Sequence, residues 1–388
     1  MLSRFLSYLT HFFPRHLSVQ LRELYLTIGI MNLAVAAVMI FEPIYLLQRG
    51  LSLKSVLLFY FVVYVLYLAI MPLGAKFALS FGFNRSIITS SFFLVAYYLT
   101  LLGLQHSPLF IVLAVPCFAL QKTLYWPGFH AEFARYGDDH EEAREVSSRE
   151  AIDVFTAVVG PFFGGLILFL SNFTTLFVVV CLLVLLSNLP LALTPEVFTP
   201  GHFSYRGAYR RLFEPEHRRL VVSTIGYGEE FIAVVLWPVF MYYVVQSFFE
   251  LGSIVAGATL LTTAIVLYVG RLADHTNKRA VLRAGSLLYS LVWLARLFVA
   301  GVGGLFWADA LSRLTKRILA VPQLALIYER ARETHHIMRT TLLFEMSLVV
   351  GKITAIIAAL LVISFIPEVA WPVTFILAAA FTLLYTLL

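Results

Sequence analysis

Four charged side chains lie within one stretch that is otherwise apolar enough to cross a membrane. The stretch covers residues 304–332, and its charges are Asp309, Arg313, Lys316 and Arg317. Each residue of a helix is rotated by about 100° from the one before it, so these four side chains fall within an arc of about 100° and share one helix face. A charge at the centre of a spanning helix costs about 2.5–3.5 kcal/mol, so this face must meet water, a partner charge or a ligand. It predicts the binding of an anion or the transfer of a proton.

An earlier stretch repeats part of this pattern. Lys122 precedes Pro127 by the same interval at which Arg317 precedes Pro322. Both pairs are offset by about 195 positions, and several other prolines, glycines and arginines keep nearly the same offset, which indicates two related halves. Each half then contributes one cationic helix. Lys122 and Arg317 together predict a clamp that closes on a carboxylate or phosphate.

The clamp has an alternative that the sequence leaves open. Each cation is also able to neutralise a neighbouring acid and only hold the bundle together, and Asp309 and Arg313 have the i, i+4 spacing of an ion pair. An aromatic pair beside a cation is able to stack on a substrate, although such rings are more often ordinary packing residues. The candidates for substrate binding are Lys122, Arg317, Arg313, Tyr125 and Trp126.

Five carboxyl groups within apolar stretches are candidates for proton coupling. Removal from water favours the neutral acid, so such a group is able to bind and release a proton near neutral pH. Adjacent side chains on a helix point about 100° apart, so at most one of Glu229 and Glu230 should face a central cavity. Glu345 shares a helix face with Lys352, which predicts that these two pair. The candidates are Glu42, Glu229, Glu230, Asp309 and Glu345.

The composition is that of a polytopic membrane protein. Of the 388 residues, 60% are hydrophobic and only 13% are charged, and the mean hydropathy is +0.87, whereas a soluble domain carries about 25% charged residues. The net charge of +6 comes from basic loops, so we expect no nucleic acid partner. The sequence has no metal-ligand cluster, no nucleophile beside a base and no phosphate-binding glycine loop. We therefore expect neither a cofactor, nor a metal, nor enzymatic activity.

Hydropathy predicts twelve spanning segments, each near the length of about 20 residues that a bilayer requires. Segments one to six are predicted at 24–47, 55–75, 86–105, 108–131, 151–171 and 174–194. Segments seven to twelve are predicted at 220–246, 252–270, 281–302, 304–329, 341–366 and 370–388. Apolar residues in 1–13 follow the spacing of an amphipathic helix in the membrane interface. The predicted parts are an interfacial helix at 1–21, six-helix halves at 22–194 and 220–388, and a cytoplasmic linker at 195–219.

Loop charges predict the orientation. If the N-terminus is inside, nearly all basic loop residues lie on the cytoplasmic side, and only Arg49 and Lys54 lie outside. The chain should therefore be a multi-pass protein of the cell membrane (inner or plasma membrane) with both termini in the cytoplasm.

Two motifs resemble the major facilitator superfamily of transporters. After segment eight, Gly270, Leu272 and Asp274 are followed by Lys278 and Arg279, as in the loop signature of that superfamily. In segment five, the run GPFFGG at 160–165 is similar to a glycine-proline motif of its exporters. In the equivalent loop of the first half, Ala78 stands where the aspartate would be.

The resemblance implies an all-α polytopic fold with twelve transmembrane helices in two pseudo-symmetric six-helix halves. Segments one, four, seven and ten would line a central cavity, and segments three, six, nine and twelve would face lipid. It also implies that Gly270, Asp274 and Arg279 form a conformational latch. Arg296, on lipid-facing segment nine, does not fit this arrangement; we expect it to snorkel or to pack against a neighbour, and it receives no functional role.

These features predict a secondary active transporter that works by alternating access. The expected coupling ion is the proton, and the expected substrate is a small organic anion or an anionic amphiphile. Efflux of lipophilic drug-like compounds is an alternative, which the GPFFGG run and the aromatic content favour. A membrane sensor or scaffold with a transporter fold is a second alternative. The expected partners are a small-molecule substrate and the lipid bilayer, and we expect a monomer.

Overall fold

A computed structural model describes residues 19–136, 142–193, 204–269, 278–333 and 337–388. Within these ranges the chain is helical and contains no β-strand. The predicted interfacial helix at 1–13 lies outside the described residues, and so do Gly270 and Asp274 of the proposed latch.

The first six segments are separate helices joined by short connections. Segment one consists of two helices, Val19–Met39 and Glu42–Gln48. Segments two to six are the helices Leu53–Phe81, Phe83–Gly103, Phe110–Tyr136, Glu142–Leu170 and Phe173–Leu193. In the linker, a short helix covers Tyr205–Leu212 and a 3-10 turn covers Pro215–His217.

The second half repeats this order with a more broken first helix. Segment seven consists of Arg218–Ile225, Gly228–Phe231, a π-helical turn at Ile232–Leu236, and Trp237–Val245. Segments eight to twelve are the helices Phe248–Val269, Lys278–Ala295, Gly301–Glu333, Ile337–Phe365 and Ala370–Leu383. A 3-10 turn at Arg296–Phe298 ends segment nine, and another at Leu384–Leu387 follows segment twelve.

Eleven helical segments of the described chain are long and apolar enough to cross a membrane. The twelfth, segment ten, has 33 residues and is therefore about 50 Å long, which exceeds the thickness of a bilayer core. Because it contains several charged residues, segment ten is less apolar than the other eleven segments. The prediction of an all-α polytopic protein is confirmed.

Proline explains the break in segment one and the π-helical turn in segment seven. Pro43 has no N–H for the carbonyl of Met39, and the helix is interrupted immediately before it, at Ile40 and Phe41. Pro238 in segment seven likewise leaves the carbonyl of Val234 without a helical donor, and the preceding turn widens into the π-helical turn. Turns of this kind occur frequently at functional sites.

Glycines allow segment five to approach both halves closely. A Cβ atom at Gly164 would lie 1.9 Å from the carbonyl oxygen of Ala37 in segment one. In the other direction, a Cβ atom at Gly252 of segment eight would lie 2.3 Å from the carbonyl oxygen of Pro161. Real Cβ contacts are longer, so these backbones meet only because side chains are absent. The GPFFGG run therefore joins segments one, five and eight into one tightly packed contact between the halves.

An aromatic cluster extends this contact at the connection between segments seven and eight. The Phe248 ring centroid lies 6.0 Å from that of Phe41, 5.3 Å from that of Phe173 and 4.8 Å from that of Tyr242. The cluster takes rings from segments one, six, seven and eight, so it holds both halves together at this end of the bundle.

We expect Gly252→Ala to lower stability, because the added methyl group meets the backbone of segment five. Overpacking of this kind costs about 1–3 kcal/mol. Gly303→Ala is the matched control, because a Cβ atom there has no neighbour within 4 Å. Melting temperatures of the purified variants provide the measurement. Equal melting temperatures for both variants and the unmodified protein would contradict the close approach of segments five and eight.

Candidate functional site

A cavity of about 280 Å³ lies between the two halves. Met39 and Ile40 of segment one and Ala157 of segment five border it from the first half, and segments seven to ten border it from the second. Its volume is close to the lower end of the range for small-molecule sites, about 300–1,000 Å³. The charged side chains that line it are Glu229, Glu230, Arg296, Asp309, Arg313, Lys316 and Arg317.

Glu229 is at the centre of the most deeply buried charge cluster. Its side chain has no exposed surface, and one carboxylate oxygen pairs with Lys316 of segment ten. Tyr385 donates a hydrogen bond to the same oxygen at 3.0 Å, and Tyr289 donates to the other oxygen at 2.8 Å. The Lys316 ammonium also lies 4.9 Å from the ring centroid of Tyr227. The cluster therefore ties segments seven, nine and ten to the end of the chain.

Asp309 is at the centre of a second charge cluster in the cavity wall. Arg313 donates from Nε to its carboxylate at 2.6 Å, and Trp237 donates from its indole nitrogen at 3.1 Å. The i, i+4 ion pair predicted from the sequence is thus confirmed. Because Trp237 directly precedes Pro238, the break in segment seven positions the donor that reaches segment ten.

Glu230 takes a different partner from the adjacent Glu229. Lys352 of segment eleven forms its ion pair with Glu230 at 2.9 Å, and Glu345 accepts a hydrogen bond from Tyr67 of segment two at 3.4 Å. The pairing of Glu345 with Lys352 stays a prediction, and sequence spacing did not indicate the contacts with Glu230 and Tyr67. Glu229 and Glu230 both line the cavity, whereas regular helix geometry predicts only one. The helical piece Gly228–Phe231 is so short, between a turn and the π-helical turn, that the regular spacing of a long helix does not apply.

Glu42 lies outside the cavity lining, immediately after the break in segment one. Its side chain is buried and accepts a hydrogen bond from the Tyr60 hydroxyl at 2.7 Å. Within the described part of the chain, no cationic group lies within ion-pair distance of it. Glu42 is therefore a buried carboxyl group whose nearest polar partner is neutral.

The two residues of the proposed clamp occupy different places. Arg317 lines the cavity, whereas Lys122 does not. The Lys122 ammonium lies 4.3 Å from the ring centroid of Phe118 and 5.5 Å from that of Tyr64. The Lys352 ammonium also lies 5.7 Å from the ring centroid of Tyr64. Lysines from both halves therefore flank this tyrosine of segment two.

The aromatic candidates pack within segment four. The Tyr125 ring stacks on Phe129 with centroids 5.4 Å apart, and Trp126 meets Tyr125 edge-on at 5.2 Å. Neither ring lines the cavity. Arg279, the described member of the proposed latch, lies exposed in the first turn of segment nine. The roles in substrate binding and in the latch remain predictions.

Sequence reasoning gave no role to Arg296, yet the structure places it in the cavity wall. Its side chain is buried between two indole rings, with the guanidinium carbon 3.9 Å from the centroid of Trp237 and 3.7 Å from that of Trp293. Trp293 lies one helical turn before Arg296, which is a local signal that the sequence contains. The contribution of Trp237 comes from another segment and is visible only in the fold.

Comparison with known proteins supports the fold and leaves the substrate open. No family model matches the sequence, and no curated protein matches it. Among solved structures, the chain is similar to the crystal structure of a D-xylose-proton symporter, with 13% sequence identity, a TM-score of 0.67, and coverage of 93% of this chain and 96% of that chain. The chain therefore shares its overall fold with this symporter, in agreement with the fold that the resemblance to the major facilitator superfamily implies. The predicted arrangement of twelve helices in two six-helix halves is confirmed.

We expect Lys316→Met to destabilise the protein, because it leaves Glu229 fully buried without a cation. Removing one partner of a buried ion pair costs about 3–5 kcal/mol. Lys316→Met combined with Glu229→Gln should recover most of this loss, since the unpaired charge is then absent. Arg210→Met is the control: Arg210 pairs with Glu214 at 3.3 Å, but its side chain is 84% exposed, and exposed pairs contribute little.

Melting temperatures of these variants provide the measurement. A Lys316→Met variant as stable as Arg210→Met would show that Glu229 does not depend on its cation.

Proposed function

We propose that this protein is a secondary active transporter that moves a small organic anion, or an anionic amphiphile, by alternating access coupled to protons. The observation that carries the proposal is the central cavity, which concentrates seven ionisable side chains between the two halves of a chain with only 13% charged residues. Intramembrane ionisable residues are costly and mark substrate or proton pathways. The fold similarity to a proton symporter supports the same class of function.

The balance of charge in the cavity wall supports an anionic substrate. Four of the lining side chains are cationic and three are carboxylates. Asp309 and Glu229 are engaged by Arg313 and Lys316, and Glu230 by Lys352, which lies outside the lining. By formal charge the lining therefore carries one more positive than negative group, which favours the entry of an anion.

Glu42 is the first candidate for the proton carrier. A buried carboxylate without a cation is costly, whereas the neutral acid beside the Tyr60 hydroxyl is not. Glu229, Glu230 and Asp309 have cationic partners in this conformation, so each would need a change of partner before it could take up a proton. Glu345 is the remaining candidate, and its contact with Tyr67 crosses the two halves.

The broken helices suggest how access would alternate. Segments one and seven carry their interruptions beside the cavity, where a few residues are able to absorb changes in backbone angle. Segments five and eight would act as the contact on which the halves rock, since their backbones meet through glycines. Segments four and ten would bring Lys122 and Arg317 together as the halves close, which is how we propose that the clamp forms.

Transport in liposomes tests this function. The ligand would be selected by a thermal-shift screen of small carboxylates, phosphates and their neutral analogues, because a ligand that binds only the folded state raises apparent stability. We expect its accumulation against a gradient when a pH gradient is imposed, and no accumulation in protein-free liposomes. Binding without transport would favour a sensor or scaffold. Transport of neutral lipophilic compounds alone would favour the drug-efflux alternative.

Glu42→Gln should uncouple transport from protons, because glutamine keeps the shape of the acid but cannot carry its proton. We expect loss of gradient-driven accumulation with retained exchange of labelled for unlabelled ligand. Glu368→Gln, in the exposed turn after segment eleven, is the control and should behave as the unmodified protein. Concentrative uptake by Glu42→Gln would exclude Glu42 as the carrier.

The clamp makes a separate prediction. Lys122→Gln and Arg317→Gln should each weaken anion binding by about tenfold, the loss expected for one charge-assisted contact. Arg317→Lys should retain only part of the affinity of the unmodified protein, because an ammonium lacks the planar fork of a guanidinium. Affinity and melting temperature are measured together. Normal affinity with a large fall in melting temperature would show that these cations stabilise the bundle and bind no substrate.

A further inference from the structure

Arg296 differs from the other cations that line the cavity in how it is solvated and paired. Its side chain is 2% exposed, and its Nη2 atom donates to the Ser312 hydroxyl at 2.8 Å. Its Nε and Nη1 atoms are buried and have no hydrogen-bond acceptor among the described residues. These two nitrogens carry three N–H donors.

The charged groups around Arg296 leave it without a carboxylate of its own. Asp309, Glu229 and Arg313 are near enough to influence it electrostatically, yet no described carboxylate lies within ion-pair distance of the guanidinium. Asp309 is already engaged by Arg313 and Trp237, and Glu229 by Lys316 and two tyrosines. Rearranging either carboxylate toward Arg296 would break these contacts. Arg296 lines the cavity, so a ligand there is able to supply an acceptor for these N–H groups.

The two tryptophans determine how a ligand is able to approach. Trp237 and Trp293 cover both faces of the guanidinium at 3.9 and 3.7 Å. Stacking of this kind holds the planar group in place. With both faces covered, the guanidinium is able to donate hydrogen bonds only at its edge, in its own plane. A carboxylate, which is planar and accepts at two oxygens, matches such an edge.

We propose that Arg296 is the anion-receiving residue of the cavity, which binds the carboxylate of the transported substrate through N–H groups at the edge of its guanidinium. This proposal deepens the proposed function and rests on it, since it names carboxylates as the substrate class. It adds a buried, preorganised donor on segment nine to the cations that segment ten contributes to the cavity wall. Trp237 and Trp293 act as positioning residues, because they hold the guanidinium between their rings.

Binding to the purified protein tests this assignment independently of transport. The probes are straight-chain monocarboxylates from formate to hexanoate, each compared with its primary amide, which has a similar shape and no charge. The unmodified protein should prefer carboxylate over amide. Arg296→Gln should reduce this preference by about tenfold or more, as expected for loss of a charge-assisted hydrogen bond, while amide binding stays unchanged. Ser312→Ala is the control, because it removes the Nη2 acceptor and leaves the cation in place.

Tryptophan fluorescence provides a readout that a purely structural role would not move. The chain has five tryptophans, and replacing Trp126, Trp307 and Trp371 by phenylalanine leaves only the two that flank Arg296. In that background, carboxylates should change the emission with the same concentration dependence as binding, and amides should not. Arg296→Lys keeps a cation, so it decides the outcome if Arg296→Gln does not fold. It should show a carboxylate preference below that of the unmodified protein.

The outcomes separate this proposal from the function on which it rests. A carboxylate preference that survives in Arg296→Gln, or is unchanged in Arg296→Lys, would overturn the role of Arg296 and leave anion transport standing. Absence of any carboxylate preference in the unmodified protein would overturn both. Carboxylate binding through Arg296 without transport in liposomes would uphold the site and overturn the transporter.

Discussion

A charge buried in a bilayer must find a partner, and this constraint organises the second half of the chain. Glu229 has no exposed surface, and its carboxylate is satisfied by Lys316 from segment ten and by hydroxyls from Tyr289 and Tyr385. These contacts fix segment seven against segments nine, ten and twelve. The helix break at Gly226 and Tyr227 and the π-helical turn make this geometry possible, because they turn both Glu229 and Glu230 toward the centre. The cavity is the space that remains between the resulting ion pairs.

The sequence predicted those features that depend on local spacing. Helical periodicity placed the charges of segment ten on one face, and the i, i+4 rule identified the pair of Asp309 and Arg313, which the structure confirms. Hydropathy, one loop motif and the glycine-proline motif of segment five predicted the twelve-helix fold, which the structural similarity confirms. These successes share a cause: a bilayer restricts spanning backbone to helices, so length and periodicity carry most of the fold.

Features that depend on contacts between distant segments could not be predicted in this way. Lys352 has Glu345 on its own helix face, but its ion-pair partner is Glu230 from segment seven. Arg296 was expected to snorkel or to pack against a neighbour, and its guanidinium does pack between Trp293 and Trp237. Its place in the cavity wall was not predicted. The end of segment nine at the 3-10 turn Arg296–Phe298 permits this position, since the side chain no longer follows the lipid-facing side of a regular helix.

The central claim is that proton and anion binding are linked within one bundle, and proton uptake on ligand binding tests it most directly. Linkage requires that, if protonation favours binding, binding must in turn draw protons from solution. The measurement is the pH change of a weakly buffered solution of purified protein when a tightly bound carboxylate is added, compared with its neutral amide. Our account predicts proton uptake with the carboxylate, and its loss in a variant without the carrier carboxyl group. Saturating carboxylate binding with no proton uptake across the neutral pH range would contradict the account.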